Sequence, residues 1–296
     1  MEFFYRTDLA CEVISGSDAL PDGVKYESFE DEFGNKTERM YIPESLERKI
    51  GKRGGNYVTV NCKKLHELED FELDAISEIL SVELVRLIEK SIGSKLCADT
   101  GILVAGLGNI SMTPDSIGPL TVQGLSATRH ISQIDPTFYK KLGCCSLSTI
   151  SPGVLGQTGI ESSEIVGAAV ECARPDVVVA IDALAAGSLE RLGATFQLCD
   201  TGIRPGSGIG NKRRELTEKT LKVPVIVVGV PTVMDSSSLI YDTLVRCGKE
   251  KTADDLRDVL DNGKSFFVSP KECDEIVKSA SRVLAAALNS AFGIND

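Results

Sequence analysis

The 296-residue sequence contains no tryptophan and only two histidines, His66 and His130. So few imidazoles leave a multi-histidine zinc site without ligands and a histidine-based triad with little to draw on. Long hydrophobic runs are absent too. The longer ones, such as residues 177–181 and 225–230, fall far short of the roughly 20 residues that span a bilayer. The N-terminus, MEFFYRTDLACE, carries acids where a secretory signal has a basic stretch followed by an apolar one. Positive charge is also short, 32 Lys and Arg against 43 Asp and Glu for a net −11. That balance argues against the basic stripe a nucleic-acid surface needs. There is no CxxC, and the nine cysteines include one adjacent pair, Cys144-Cys145. Cys97, Cys172 and Cys199 lie in apolar segments, where a free thiol behaves as a small hydrophobe. A reduced, cytoplasmic setting without membrane or direct nucleic-acid binding is expected.

What is present is a succession of α/β elements. Residues 1–70 are polar and mixed, with turn signals at Pro21-Asp22-Gly23 and Gly54-Gly55 and a short strand at Tyr57-Val58-Thr59-Val60. Leu73, Ile76, Leu80, Leu84, Leu87 and Ile88 recur at helical spacing, predicting a helix over 71–92 that stops at Gly93. Ile102-Leu103-Val104-Ala105 reads as a buried strand, and Thr113-Pro114 as the N-cap and first residue of a helix. A helix over 164–173 precedes a strand over 176–181 that ends at Asp182, and 195–199 and 225–230 are further strands. Ser269-Pro270-Lys271-Glu272 has the pattern of a capping box before a final amphipathic helix. Strands apolar on both faces and interleaved with helices predict a three-layer α/β/α sandwich with a mostly parallel sheet. The N-terminal third reads as a smaller lobe appended to it.

Ligands of open α/β sheets bind beyond the carboxyl ends of the strands. That rule selects the loops 106–118, 182–187 and 199–211, which carry Asn109, Asp115, Asp182 and Asp200. Each aspartate has a plain structural reading, Asp115 complementing a helix dipole and Asp182 capping a helix. As a pair they have a chemical one. Two carboxylates in one cleft do not both ionise easily, so one activates a water while the other, protonated, polarises a carbonyl or protonates a leaving amine. Such a pair can also hold a divalent metal, and the sequence leaves both uses open. The glycine-rich stretches 106–111 and 206–211 read as tight backbone turns, since Ser111 replaces the third glycine of a dinucleotide fingerprint and no GK[ST] follows either. Asp99-Thr100-Gly101 and Asp200-Thr201-Gly202 mimic the triplets of pepsin-like peptidases, but one precedes its strand and the other follows one. No serine lies in a GxSxG, and His130 sits in a helix-like context.

Several segments together resemble one family, the germination protease of spore-forming bacteria. They are Tyr5-Arg6-Thr7-Asp8-Leu9-Ala10, Val104-Ala105-Gly106-Leu107-Gly108-Asn109 with Thr113-Pro114-Asp115, and Ala180-Ile181-Asp182-Ala183-Leu184-Ala185-Ala186. Asp200-Thr201-Gly202-Ile203, the run 205–213, Gly229-Val230-Pro231-Thr232-Val233 and Val268-Ser269-Pro270-Lys271-Glu272 continue the match in order. The resemblance implies an endopeptidase degrading small acid-soluble spore proteins during germination in the spore core. It further implies a homotetramer whose fold is similar to that of hydrogenase maturation proteases, with Asp115 and Asp182 as the catalytic pair.

It also implies a self-processing zymogen cut at Asp8–Leu9, so that 1–8 is a propeptide and 9–296 a single catalytic domain. Arg204, Lys212, Arg213 and Arg214, beside a cleft loop, are candidates for recognising an acidic side chain before the cut. Two departures stand out: a leader shorter than the family implies, and a trimmed region at about 244–266. No cofactor is required, with a divalent metal left open. The competing readings are a metal-dependent maturation-type peptidase and a non-enzymatic scaffold binding a phosphorylated ligand through 206–211.

Overall fold

The computed structural model describes residues 7–15, 20–206, 214–256 and 266–294. Strands β1 (Lys25–Glu30), β2 (Lys36–Ile42), β3 (Gly55–Asn61), β4 (Gly101–Gly106), β5 (Ser146–Ile150), β6 (Val177–Ala186), β7 (Thr195–Cys199), β8 (Val225–Asp235) and β9 (Phe267–Val268) form one sheet. Its order is β1-β2-β3-β7-β8-β6-β4-β5, with β9 paired to the far end of β8. The half built from β8, β6, β4 and β5 is parallel. From β8 through β7, β3 and β2 to β1 every pairing is antiparallel. The α/β class holds, and the sheet is mixed where the sequence suggested mostly parallel strands. The N-terminal third is no appended lobe. β3 pairs directly with β7, Tyr57 opposite Cys199, and so extends the common sheet.

Alternation along β6 explains the layers. Val177, Val179 and Ile181 enter one core while Val178 and Ala180 enter the other, as the period-two geometry of a strand buried on both faces requires. The first core is closed by α2 (Asp70–Ile92) and α5 (Cys273–Ala291), which pack on each other. In α2 the buried stripe is Leu73, Ile76, Leu80, Leu84, Leu87 and Ile88, with a capping box between Glu69 and Glu72 and the stop at left-handed Gly93 (φ 72°). The short helix α3 (Ile117–Gln123) packs on α5 and on the end of β4. On the opposite face α4 (Ser162–Ala173) contributes Val166 and Val170. The capping box expected at Ser269 does not form. β9 keeps the preceding residues extended, and α5 begins at Cys273 with Glu272 as an N-cap that makes no side-chain bond. All nine cysteines are free thiols. Among the described residues no helix is long and apolar enough to cross a membrane.

Candidate active site

Asp182 lies where β6 outruns its apolar core. Its neighbour β4 ends opposite Ile181, and the next contact is Leu107 N–H donating to the Ile181 carbonyl at 2.8 Å. The side chain is 4% exposed, and its Oδ1 accepts the Ala183 N–H at 3.0 Å. Asp115 arrives from the loop after β4. The chain there is drawn tight because glycines let backbone meet backbone. A Cβ on Gly108, whose φ is +114°, would stand 2.0 Å from the Asp115 carbonyl oxygen, and one on Gly118 would stand 2.7 Å from that of Ile181. Thr113-Pro114-Asp115 forms one 3-10 turn, and the regular helix α3 starts only at Ile117. Asn109 N–H donates to Asp115 Oδ2 at 2.9 Å, and Thr232 Oγ1 donates to the Pro114 carbonyl at 2.6 Å. Backbone donors and a buried hydroxyl thus fix the carboxylate's loop on both sides. Asp115 and Asp182 line one cavity of about 350 Å³, together with Asp8, Thr232, Met112 and Phe267.

The segment 7–12 is held against the same site. Asp8 N–H donates to the Ala185 carbonyl and Ala185 N–H to Asp8 Oδ2, both at 2.9 Å. β6 has a register irregularity between Leu184 and Ala185, where a ladder is locally disrupted. Lys52 Nζ donates to the Thr7 carbonyl at 3.0 Å, and burial pulls that amine below its ordinary pKa. Gln197 holds the chain on both sides of Leu9, its Nε2 donating to the Asp8 carbonyl at 3.2 Å and its Oε1 accepting Ala10 N–H at 2.6 Å. Leu9 is fully buried among Leu184, Ala186, Leu192 and Met234. Glu12, in the short helix α1 (Ala10–Ser15), accepts from the N–H groups of Gly187 and Ser188 and from the Thr7 hydroxyl, and burial pushes its carboxyl up.

The other predicted residues divide. Asn109 serves through its backbone, while its Oδ1 accepts from Ser111 N–H and from Gln157 Nε2. Asp200 is not part of the aspartate cavity: its carboxylate accepts the Asn56 N–H at 2.8 Å and the Asn56 side-chain amide, fastening β7 to β3. Arg204 pairs with Glu215, which Arg53 also contacts, and the two guanidiniums hold that carboxyl below the usual range. Arg214 pairs with Glu164 at 3.1 Å. Lys212 and Arg213, with residues 207–211, lie outside the described residues. Arg204 does line a second cavity of about 330 Å³, shared with Lys52, Arg53, Gln197 and Asp8. Cys199 is buried strand core, its thiol pushed up by burial. Among the described residues no group of three or more His, Cys, Asp or Glu is placed to hold a metal ion.

Sequence reasoning passed over Thr232, Gln197, Lys52 and Glu12. Two of them carried a signal. Gln197 is a polar residue inside the apolar run of β7, and Thr232 sits near the carboxyl end of β8, where the strand-end rule applies.

A family model for germination proteases matches residues 17–255. The germination protease of Geobacillus sp. (strain WCH70) is 44% identical over 211 residues, 71% of this chain and 56% of that protein. Those of Clostridium acetobutylicum and Bacillus subtilis (strain 168) are 35% and 33% identical, over 97% and 98% of this chain and 94% of each relative. The chain thus spans less than two thirds of some curated relatives and nearly all of others. The crystal structure of a [NiFe] hydrogenase maturation protease from Thermococcus kodakarensis KOD1 overlaps 59% of this chain and 99% of its own, with 16% identity and a TM-score of 0.31. The long family match and the full-length alignments agree, and the chain belongs to the germination protease family.

Proposed function

We propose that this chain is an endopeptidase of spore germination that degrades small acid-soluble spore proteins by means of an aspartate pair, Asp115 and Asp182. The observation that carries the reading is the meeting of these two carboxylates, from the ends of adjacent parallel strands, in one cavity beside Asp8. Two carboxyls in one cleft favour a shared proton. The ionised member then takes a proton from water as the water attacks the peptide carbonyl, and the protonated member serves the leaving amine. The enzyme works in the cytoplasm of the spore core as a homotetramer. It is made as a precursor that removes its own residues 1–8 by cutting Asp8–Leu9, a reading supported by Asp8 lining the same cavity as the two aspartates.

The test is cleavage of a purified small acid-soluble spore protein by the wild type and by Asp182→Asn. We expect the variant to lose about 10³-fold or more, in keeping with removal of a reacting group. Equal cleavage by both would overturn the two-aspartate mechanism. Activity that survives a chelator agrees with it, whereas activity lost to the chelator and restored by a divalent ion turns the pair into metal ligands.

A further inference from the structure

Gln197 is the one amide side chain in a strand otherwise made of Thr195, Phe196, Leu198 and Cys199, and it is 6% exposed. Burying a primary amide is costly unless its donor and acceptor are both used. Here both are spent on main chain, not on side chains. Nε2 donates to the carbonyl of Asp8 and Oε1 accepts the N–H of Ala10. Because the acceptor is engaged by Ala10, the amide cannot turn over, and its N–H stays aimed at the Asp8 oxygen.

The sheet places this amide relative to the aspartates. Gln197 is opposite Gly229, and Gly229 is opposite Asp182. Residues opposite one another in a sheet project from the same face, so Gln197 and Asp182 emerge side by side, two strand spacings or about 10 Å apart. The residue between them has no side chain. The segment 7–10 runs beside this row, tied at Asp8 to Ala185, three residues beyond Asp182 on β6, and at the Asp8 carbonyl to Gln197 of β7, while Asp8 and Asp182 line the same cavity.

We infer that Gln197 is a catalytic residue that polarises the carbonyl of the residue before the cut, in self-processing and in substrate cleavage alike. The inference rests on the proposed peptidase reading and adds to it the group that receives the developing charge. In the step it serves, the water oxygen bonds to the Asp8 carbonyl carbon and one water proton passes to the ionised carboxylate. The carbonyl π pair moves onto the oxygen that Gln197 holds. Collapse re-forms the double bond and breaks the C–N bond, and the Leu9 nitrogen takes its proton from the carboxylic acid. A donor fixed in advance on that oxygen needs no reorganisation as charge builds, and removing one such donor costs on the order of 10²–10³ in rate.

The experiment follows release of residues 1–8 from the full chain by intact mass, for the wild type, Gln197→Glu, Gln197→Met and Asp182→Asn. Gln197→Glu keeps an oxygen for Ala10 N–H but exchanges the donor for a carboxylate, and the uncharged Gln197→Met, which should slow conversion likewise, separates loss of the donor from the added charge. We expect conversion of Gln197→Glu to slow by about 10²-fold, with thermal unfolding as in the wild type. On a synthetic peptide of sequence YRTDLACE, kcat should fall by a similar factor while KM stays within about threefold, a split that mere anchoring of α1 does not produce. If Gln197→Glu unfolds early, the uncharged Gln197→Met carries the measurement. Conversion within threefold of wild type by a folded Gln197 variant, with Asp182→Asn inert, overturns the role of Gln197 and leaves the aspartate pair standing. A wild type that never converts, or an Asp182→Asn that converts normally, removes the peptidase reading and this inference with it.

Discussion

The two halves of the sheet use buried and half-buried carboxylates in opposite ways. In the parallel half, β4 and β6 deliver Asp115 and Asp182 from the same edge, because parallel strands all end on one side and their loops converge there. Their supports are backbone N–H groups, and both line a cavity. In the antiparallel half, carboxylates are consumed by structure. Glu83 of α2, 1% exposed, receives Arg39 Nε of β2 at 3.0 Å and Arg86 Nε at 3.0 Å. Asp200 ties β7 to the start of β3 through Asn56. Burial alone therefore does not mark a reacting group. What distinguishes the two sets is whether the oxygens bridge one element to another across a packed interface or stand beside an open volume.

The comparison can be broken from its structural side. Glu83→Ala removes the anion that two guanidiniums share, leaving Arg39 only the exposed Glu27 at 3.6 Å. Breaking a buried pair costs about 3–5 kcal/mol, and since both arginines keep a wet edge, with side-chain exposures of 30% and 38%, the lower end of about 3 kcal/mol is expected. Denaturant melts would read this loss, while cleavage of a spore protein per folded molecule should stay within about threefold. A variant that keeps its stability but loses its rate would erase the division between the halves.

Asp200→Asn should cost less. The substituted amide still offers one oxygen to Asn56 N–H, but its NH₂ group faces the Asn56 amide, so a loss of about 1–2 kcal/mol is expected, with the peptidase rate unchanged. A collapse in rate resembling that of Asp182→Asn would put Asp200 back in the cleft.

That residue also shows where sequence reading stops. The strand-end rule placed Asp115, Asp182 and Asp200 together because β7, like β4 and β6, is an apolar run followed by an aspartate. Nothing local in Thr195-Phe196-Gln197-Leu198-Cys199 encodes its direction, and β7 runs antiparallel to β8, which sends Asp200 to the other edge. The long elements were legible, α2 from its stripe and its stop, and β4, β6 and β8 from unbroken apolar runs buried on both faces. β1 and β2 were not. Lys25-Tyr26-Glu27-Ser28-Phe29-Glu30 is exposed along its whole length, so no burial imposes a period on its sequence. Lys52 and Glu12 were illegible for another reason: their roles depend on contacts with segments far away in sequence.

Glu12 offers the finest test of the contrast. Beside the aspartate cavity, burial raises its carboxyl above the ordinary value even though Gly187 and Ser188 N–H point at it. Glu215, on the loop after β7, is lowered by Arg53 and Arg204. Linkage gives the two opposite signs. A raised carboxyl binds its proton more tightly in the folded chain, so its contribution is fully present below the unfolded value near 4.5 and is lost as pH rises through the higher folded value. A lowered one contributes above 4.5, and that contribution fades as pH falls through the folded value. Denaturant midpoints at pH 7.5 and pH 5 for the wild type, Glu12→Gln and Glu215→Gln should therefore diverge. On going to pH 5 the wild type should gain on Glu12→Gln, while against Glu215→Gln it should hold or lose ground. If instead the wild type loses ground to Glu12→Gln, the backbone amides outweigh burial, and Glu12 is held as an anion in the manner of the antiparallel half.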